Sequence, residues 1–173
     1  MSRKLLIVVL LLVSGFCNAQ KRKPHPNQHN APITSYKELG AKLPPINFYR
    51  RDGVSIRNED ITGRNLVIML FNPTCDHCEK QAILFEQNMA AFLHTDLLLV
   101  AASGMGPYLG YFVNNIHADN YPKIQIALDS SDYINQTFRY ESLPQINIYD
   151  AKRKLIKVFT GNAPIDSISR YLQ

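Results

Sequence analysis

The chemistry of this chain is concentrated in "FNPTCDHCEKQ", Phe71 to Gln81, where Cys75 and Cys78 form a C-x-x-C pair with His77 between them. Thiols at this spacing can close a reversible disulfide, hold a soft metal ion or staple the chain. The flanking segments narrow the choice. "NLVIMLF" precedes the pair and is apolar without alternation, as in a strand buried on both faces. "CEKQAILFEQNMAAFLHT" follows with mostly helical spacing, its apolar residues at 82, 83, 85, 89, 90, 92 and 93. The pair therefore lies where a buried strand hands over to a helix. Unpaired N–H groups and the macrodipole at a helix N-terminus favour negative charge, so a thiolate there is stabilised. Cys75, at the exposed end, is the expected nucleophile, and Cys78, one turn in, the resolving thiol. An imidazole at His77 can donate to the Cys75 thiolate. That stabilises the reduced form and raises the reduction potential. Asp76 acts in the opposite sense. Thr74 and Asp76 border the pair and also suit plain N-cap roles.

Structural zinc usually requires four Cys or His ligands. Here only Cys75, Cys78 and His77 cluster, and there is no second C-x-x-C, so no structural zinc site is expected. A two-residue loop gains little closure entropy, which makes the pair a poor staple. Cu(I) held by two soft thiolates and His77 stays open as the non-enzymatic alternative.

The elements that position the pair can be read coarsely. "LPPINFYRRDGVSIRNEDI" gives two short strands around Asp52-Gly53, a hairpin-turn signal. "DLLLVAASG" is a second buried strand and "KIQIALD" a third, in alternation, with a helix "GPYLGYFVNNIHADN" between them that Gly110 weakens. "SSDYINQTFRY" opens with N-cap residues and reads as a short helix. "QINIYD" and "KLIKVFT" form a hairpin around "AKR", the second strand alternating, and "APIDSISRYLQ" closes as a helix with Pro164 near its first turn. The order is ββ, then βαβαβ, then αββα. It implies an α/β fold with a mixed central sheet, helices on both faces and an N-terminal β-hairpin extension.

Residues 1–19, "MSRKLLIVVLLLVSGFCNA", have a charged start, a short apolar run and a small-residue cleavage site, the pattern of a signal peptide cut after Ala19. The run is short for a bilayer span, and Phe16 before Cys17 does not suit a lipidation site. Residues 20–37 are basic, polar and Pro-rich, the composition of a disordered tether. His25 and His29 have metal-binding spacing only on a helix, which Pro24 and Pro26 oppose. Residues 38–173 form one domain. Of the 19 basic side chains six lie in residues 1–37, with none of the 14 acidic ones, so the remainder carries 13 against 14. Nucleic-acid binding has no support in the domain. The tether attracts an anionic membrane surface weakly. The leader places the protein outside the cytoplasm, in a periplasm or cell envelope.

"VIMLFNPTCDHC" in this order of elements resembles the thioredoxin superfamily, and more narrowly the exported TlpA-like, redoxin-type thiol–disulfide oxidoreductases. The resemblance runs from about Gly40 to Leu172. "GAKLPPINFYRRDGVSI" is similar to the hairpin that opens such domains, and "LPQINIYDAKRKLIKVFTG" to the loop, hairpin and Gly that close them. It implies a thioredoxin-like fold, no cofactor, a protein thiol or disulfide as substrate and a membrane electron donor. It further implies a cis Leu143–Pro144 bond opposite the Cys pair, with Pro144 lining the substrate groove and Leu143 contacting the partner backbone. The reductase direction is the commoner one in that group. The chain departs from the pattern in two ways. It has no Trp, and Asn72-Pro73-Thr74 stands before the first Cys. "NLVIMLF" lacks the buried acid that helps to deprotonate the second Cys. Glu79 is a candidate substitute, although a solvated helix-start Glu is the simpler reading.

Overall fold

The computed structural model describes residues 35–172. The leader, and all of the tether before residue 35, lie outside the described residues. No helix among the described residues is long and apolar enough to cross a membrane.

The strands are β1 (Asn47–Arg50), β2 (Ser55–Arg57), β3 (Asn65–Phe71), β4 (Thr95–Ala101), β5 (Ile124–Leu128), β6 (Gln145–Tyr149) and β7 (Leu155–Thr160). The helices are α1 (Asp76–Gln87), α2 (Gly106–Asn115), α3 (Tyr133–Phe138) and α4 (Ile165–Ser169). One seven-stranded sheet has the order β2-β1-β5-β4-β3-β6-β7. β3, β4 and β5 are parallel, and every other pairing is antiparallel. The sheet is mixed, as the order of elements implied. The opening hairpin joins it as an edge, Tyr49 opposite Leu128 and Arg50 opposite Ala127.

β3 lies between β4 and β6, and all seven of its residues are buried. Its side chains alternate between two cores. Val67, Met69 and Phe71 join Cys78, Ala82 and Phe85 of α1, Leu109 and Phe112 of α2 and Ile168 of α4. Leu66, Ile68 and Leu70 join Phe48 and Ile56 of the hairpin and Ile134 and Phe138 of α3. Three helices thus cover one face, and α3 with the hairpin covers the other. Burying each large apolar side chain contributes about 1.5–3 kcal/mol. Phe71, the last residue of β3, packs on Phe112 with ring centroids 4.3 Å apart. This contact fixes the strand end that carries the Cys loop.

Several local expectations change. The helical spacing read over residues 78–95 resolves into two pieces. α1 ends at Gln87, and Met89–Phe92 form a separate 3₁₀ turn. Asn88 makes the break: its Nδ2 donates to the Leu84 carbonyl at 2.8 Å, in competition with the backbone. Asp132 is the N-cap residue of α3, as the opening residues of that segment suggested, but its side chain does not do the capping. It sits in the left-handed region. Buried Asp129 supplies the acceptor instead, 2.8 Å from the Ile134 N–H and 3.1 Å from that of Ser131. β7 does not alternate throughout. A register shift between Ile148 and Tyr149 makes Ile156 an extra residue, so Leu155 and Val158 both pack on the α3 side. The hairpin turn does fall around Asp52-Gly53, over residues 51–54. Gly53 takes a positive φ of 81°, and Asp52 Oδ1 accepts from the Val54 N–H.

Candidate functional site

The Cys pair lies at the C-terminal end of the parallel strands, where α/β sheets place their ligands. Asn72 shapes the approach. Its Oδ1 accepts from the Thr74 N–H and the Thr74 hydroxyl, each at 2.9 Å, and its carbonyl accepts from the Cys75 N–H at 3.1 Å. This is an Asx turn, which releases the chain from β3 and aims it into α1. Cys75 is the N-cap residue of α1, with extended backbone (φ −102°, ψ 116°). Its carbonyl accepts from the Cys78 and Glu79 N–H groups. No side chain caps this helix start. Thr74 is therefore not the cap; its hydroxyl is committed to Asn72. Asp76 is the first helical residue, exposed.

Both thiols are free. Cys75 is half-buried and Cys78 has no exposed surface. Burial above all, offset by a backbone hydrogen bond from Asn72 and reinforced by Cys75, pushes the Cys78 thiol up from 9.0 to about 12. The two sulfurs thus differ in access, and Cys78 is the protected one.

The loop before β6 faces the pair. Cys75 Sγ lies 4.0 Å from the Leu143 carbonyl oxygen. The Leu143–Pro144 bond is cis. Pro144 is buried, and Leu143 is half-buried against both cores. Cys75, Leu143 and Pro144, predicted together, are brought together.

His77 is placed differently from the expectation. It is exposed, and its Nδ1 lies 3.1 Å from Asn162 Oδ1 rather than on the Cys75 sulfur. Glu79 is neither free in solvent nor bonded to Cys78. Its Oε2 accepts from Asn115 Nδ2 on α2 at 3.1 Å.

Sequence reasoning missed the segment after β7. Three successive residues knit the site: the Gly161 N–H donates to the Pro144 carbonyl at 2.8 Å, Asn162 Nδ2 to the His77 carbonyl at 2.7 Å, and the Ala163 N–H to Gln81 Oε1 at 2.7 Å. Gln81 is fully buried on the same helix face as Cys78. The Gly after the last strand was the one readable sign of this segment. Among the described residues no three His, Cys, Asp or Glu side chains are grouped to hold a metal ion.

No protein-family model matches the chain, and no curated protein matches it. Solved structures do. The MTB protein dsbF, in mixed oxidised and reduced forms, is 21% identical, with a TM-score of 0.61 over 73% of this chain and 92% of that one. A secreted Mycobacterium tuberculosis disulfide oxidoreductase homologous to E. coli DsbE is 16% identical, with a TM-score of 0.61 over 73% and 93%. The thioredoxin domain of a thiol-disulfide oxidoreductase from Bacteroides vulgatus is 12% identical, with a TM-score of 0.62 over 79% and 99%. Identities this low carry the architecture alone. The sheet order, the Cys pair at a strand-to-helix turn and the Leu143–Pro144 loop against it are those of a thioredoxin-like fold, and that is the fold of this chain.

Proposed function

We propose that the protein is an exported thiol–disulfide oxidoreductase that reduces disulfides in partner proteins. One observation carries this reading. Cys75 sits at an uncapped helix start against the Leu143 carbonyl, and fully buried Cys78 lies one turn behind it. This is the division of labour that exchange requires. The similar structures described as disulfide oxidoreductases support it.

The Cys75 thiolate attacks one sulfur of a partner disulfide. That S–S bond breaks, a Cys75–partner disulfide forms, and the departing partner thiolate takes a proton from water. Cys78 then loses its proton and attacks the Cys75 sulfur. The second partner sulfur leaves as a thiolate and takes up, through water, the proton that Cys78 released. The partner has gained two electrons and two protons, and Cys75–Cys78 is oxidised. Leu143 and Pro144 line the partner groove, with Thr74 and Asp76 on its near side. A membrane electron donor returns the pair to the dithiol, and residues 20–37 tether the domain near that surface.

The test is a trapping experiment. Cys78→Ser, incubated with a disulfide protein such as insulin, accumulates a Cys75 mixed disulfide that mass spectrometry detects and a reductant releases. Cys75→Ser accumulates none and loses insulin reduction to background. Failure of Cys78→Ser to trap any partner would contradict the reading.

A further inference from the structure

The Asn162 amide makes two hydrogen bonds to one residue. Nδ2 donates to the His77 carbonyl at 2.7 Å, and Oδ1 lies 3.1 Å from His77 Nδ1. A backbone carbonyl only accepts, so the amide is oriented with its NH₂ toward the main chain and its oxygen toward the ring. That oxygen also only accepts, so the ring nitrogen facing it must carry hydrogen. A neutral imidazole has one N–H. We infer that Asn162 is a positioning residue that fixes His77 in its Nδ1–H tautomer and leaves Nε2 as the unprotonated ring nitrogen. The role in exchange rests on the oxidoreductase reading; the tautomer does not.

The consequence is chemical. Donation through Nδ1 to Cys75 is closed, because that hydrogen is held by Asn162. Nε2 is then the ring nitrogen left free to accept a hydrogen bond from a docked partner. The same two bonds clamp residue 162 to the first turn of α1, beside the Gly161 link to Pro144. The ring is therefore held against the frame that carries both Cys75 and the Leu143–Pro144 loop. The sources of order differ from those of the core: both Asn162 and His77 are exposed, so their pairing contributes orientation more than stability.

Long-range ¹H–¹⁵N spectra of the intact reduced protein with the ring neutral read the tautomer directly. The wild-type protein is expected to show a protonated Nδ1 and an unprotonated Nε2. Asn162→Ala is expected to lose that pattern and to slow insulin reduction several-fold, with its circular dichroism unchanged. Asn162→Asp keeps an acceptor at the ring and is expected to restore the Nδ1–H pattern. An Nε2–H tautomer in the wild-type protein, or an unchanged pattern in Asn162→Ala, overturns the assignment. A changed tautomer with an unchanged reduction rate overturns the positioning role. A wild-type protein that reduces nothing is a failure of the oxidoreductase reading, and the nitrogen shifts then decide the tautomer alone.

Discussion

The sulfur of Cys75 and the carbonyl oxygen of Leu143, 68 residues apart in the chain, lie 4.0 Å from each other. β3 and β6 are neighbours in the sheet, and their adjacent ends bring the two together. The Cys75 sulfur is thereby set, half-buried, beside a main-chain acceptor, while the Cys78 thiol is sealed beneath.

That asymmetry predicts selective alkylation. Iodoacetamide at neutral pH should modify Cys75 in the folded, reduced protein and leave Cys78 unmodified until denaturant is added. Peptide mass mapping checks it. Equal labelling of both would contradict the burial difference.

The raised Cys78 thiol also has a stability consequence. Unfolded, it ionises near 9.0; folded, near 12. Between these values the folded state holds the extra proton, so the stability of the reduced protein falls as pH rises, by about 1.4 kcal/mol per unit. Cys78→Ser removes this contribution, so the gap between the two proteins should narrow across the window. Denaturant titrations from pH 8 to 11 measure it.

Glu86 gives a second window. It is 8% exposed, its Oε1 has no hydrogen-bond partner, and burial raises its carboxyl from 4.5 to about 7. The folded state favours the neutral acid, so its penalty grows as pH rises from about 4.5 and is complete above about 7. Glu86→Gln should stabilise the protein by on the order of 2 kcal/mol at pH 8 and leave it unchanged at pH 4. A difference independent of pH would contradict this.

Asp129 should matter to the fold and not to the thiols. Asp129→Ala removes the acceptors for Ile134 and Ser131 and should cost about 2–3 kcal/mol. α3 packs on the opposite sheet face from Cys78, so the reduction potential should stay within error.

Gly110 tests the helix that the sequence made doubtful. α2 runs through it, and a Cβ there meets nothing within 4 Å. Gly110→Ala should stabilise by about 0.5–1 kcal/mol, read as a higher thermal midpoint.

What was legible followed from pattern. The unbroken apolar run of β3 marked a central strand, and its hand-over to α1 located Cys75 and Cys78. Leu143 and Pro144 were reached through resemblance, since nothing local in "SLPQ" says that it will face residue 75. What stayed hidden depended on tertiary partners. Asn88 reads as a tolerable helix residue until its side chain takes the Leu84 carbonyl. Asn162 reads as a loop residue until the fold sets it beside His77. His77 itself was assigned to the Cys75 thiolate because sequence proximity was the only geometry available. The bulge at Ile156 has no propensity signal at all.

The most direct test of the central claim is the reduction potential of the Cys75–Cys78 pair in residues 20–173, equilibrated against glutathione and a stronger dithiol buffer. The account predicts a reversible two-electron couple at about −250 mV or below, in the range of thioredoxin. A value near about −120 mV would contradict the reductase direction and indicate an oxidant. The absence of any reversible couple would contradict thiol–disulfide exchange itself.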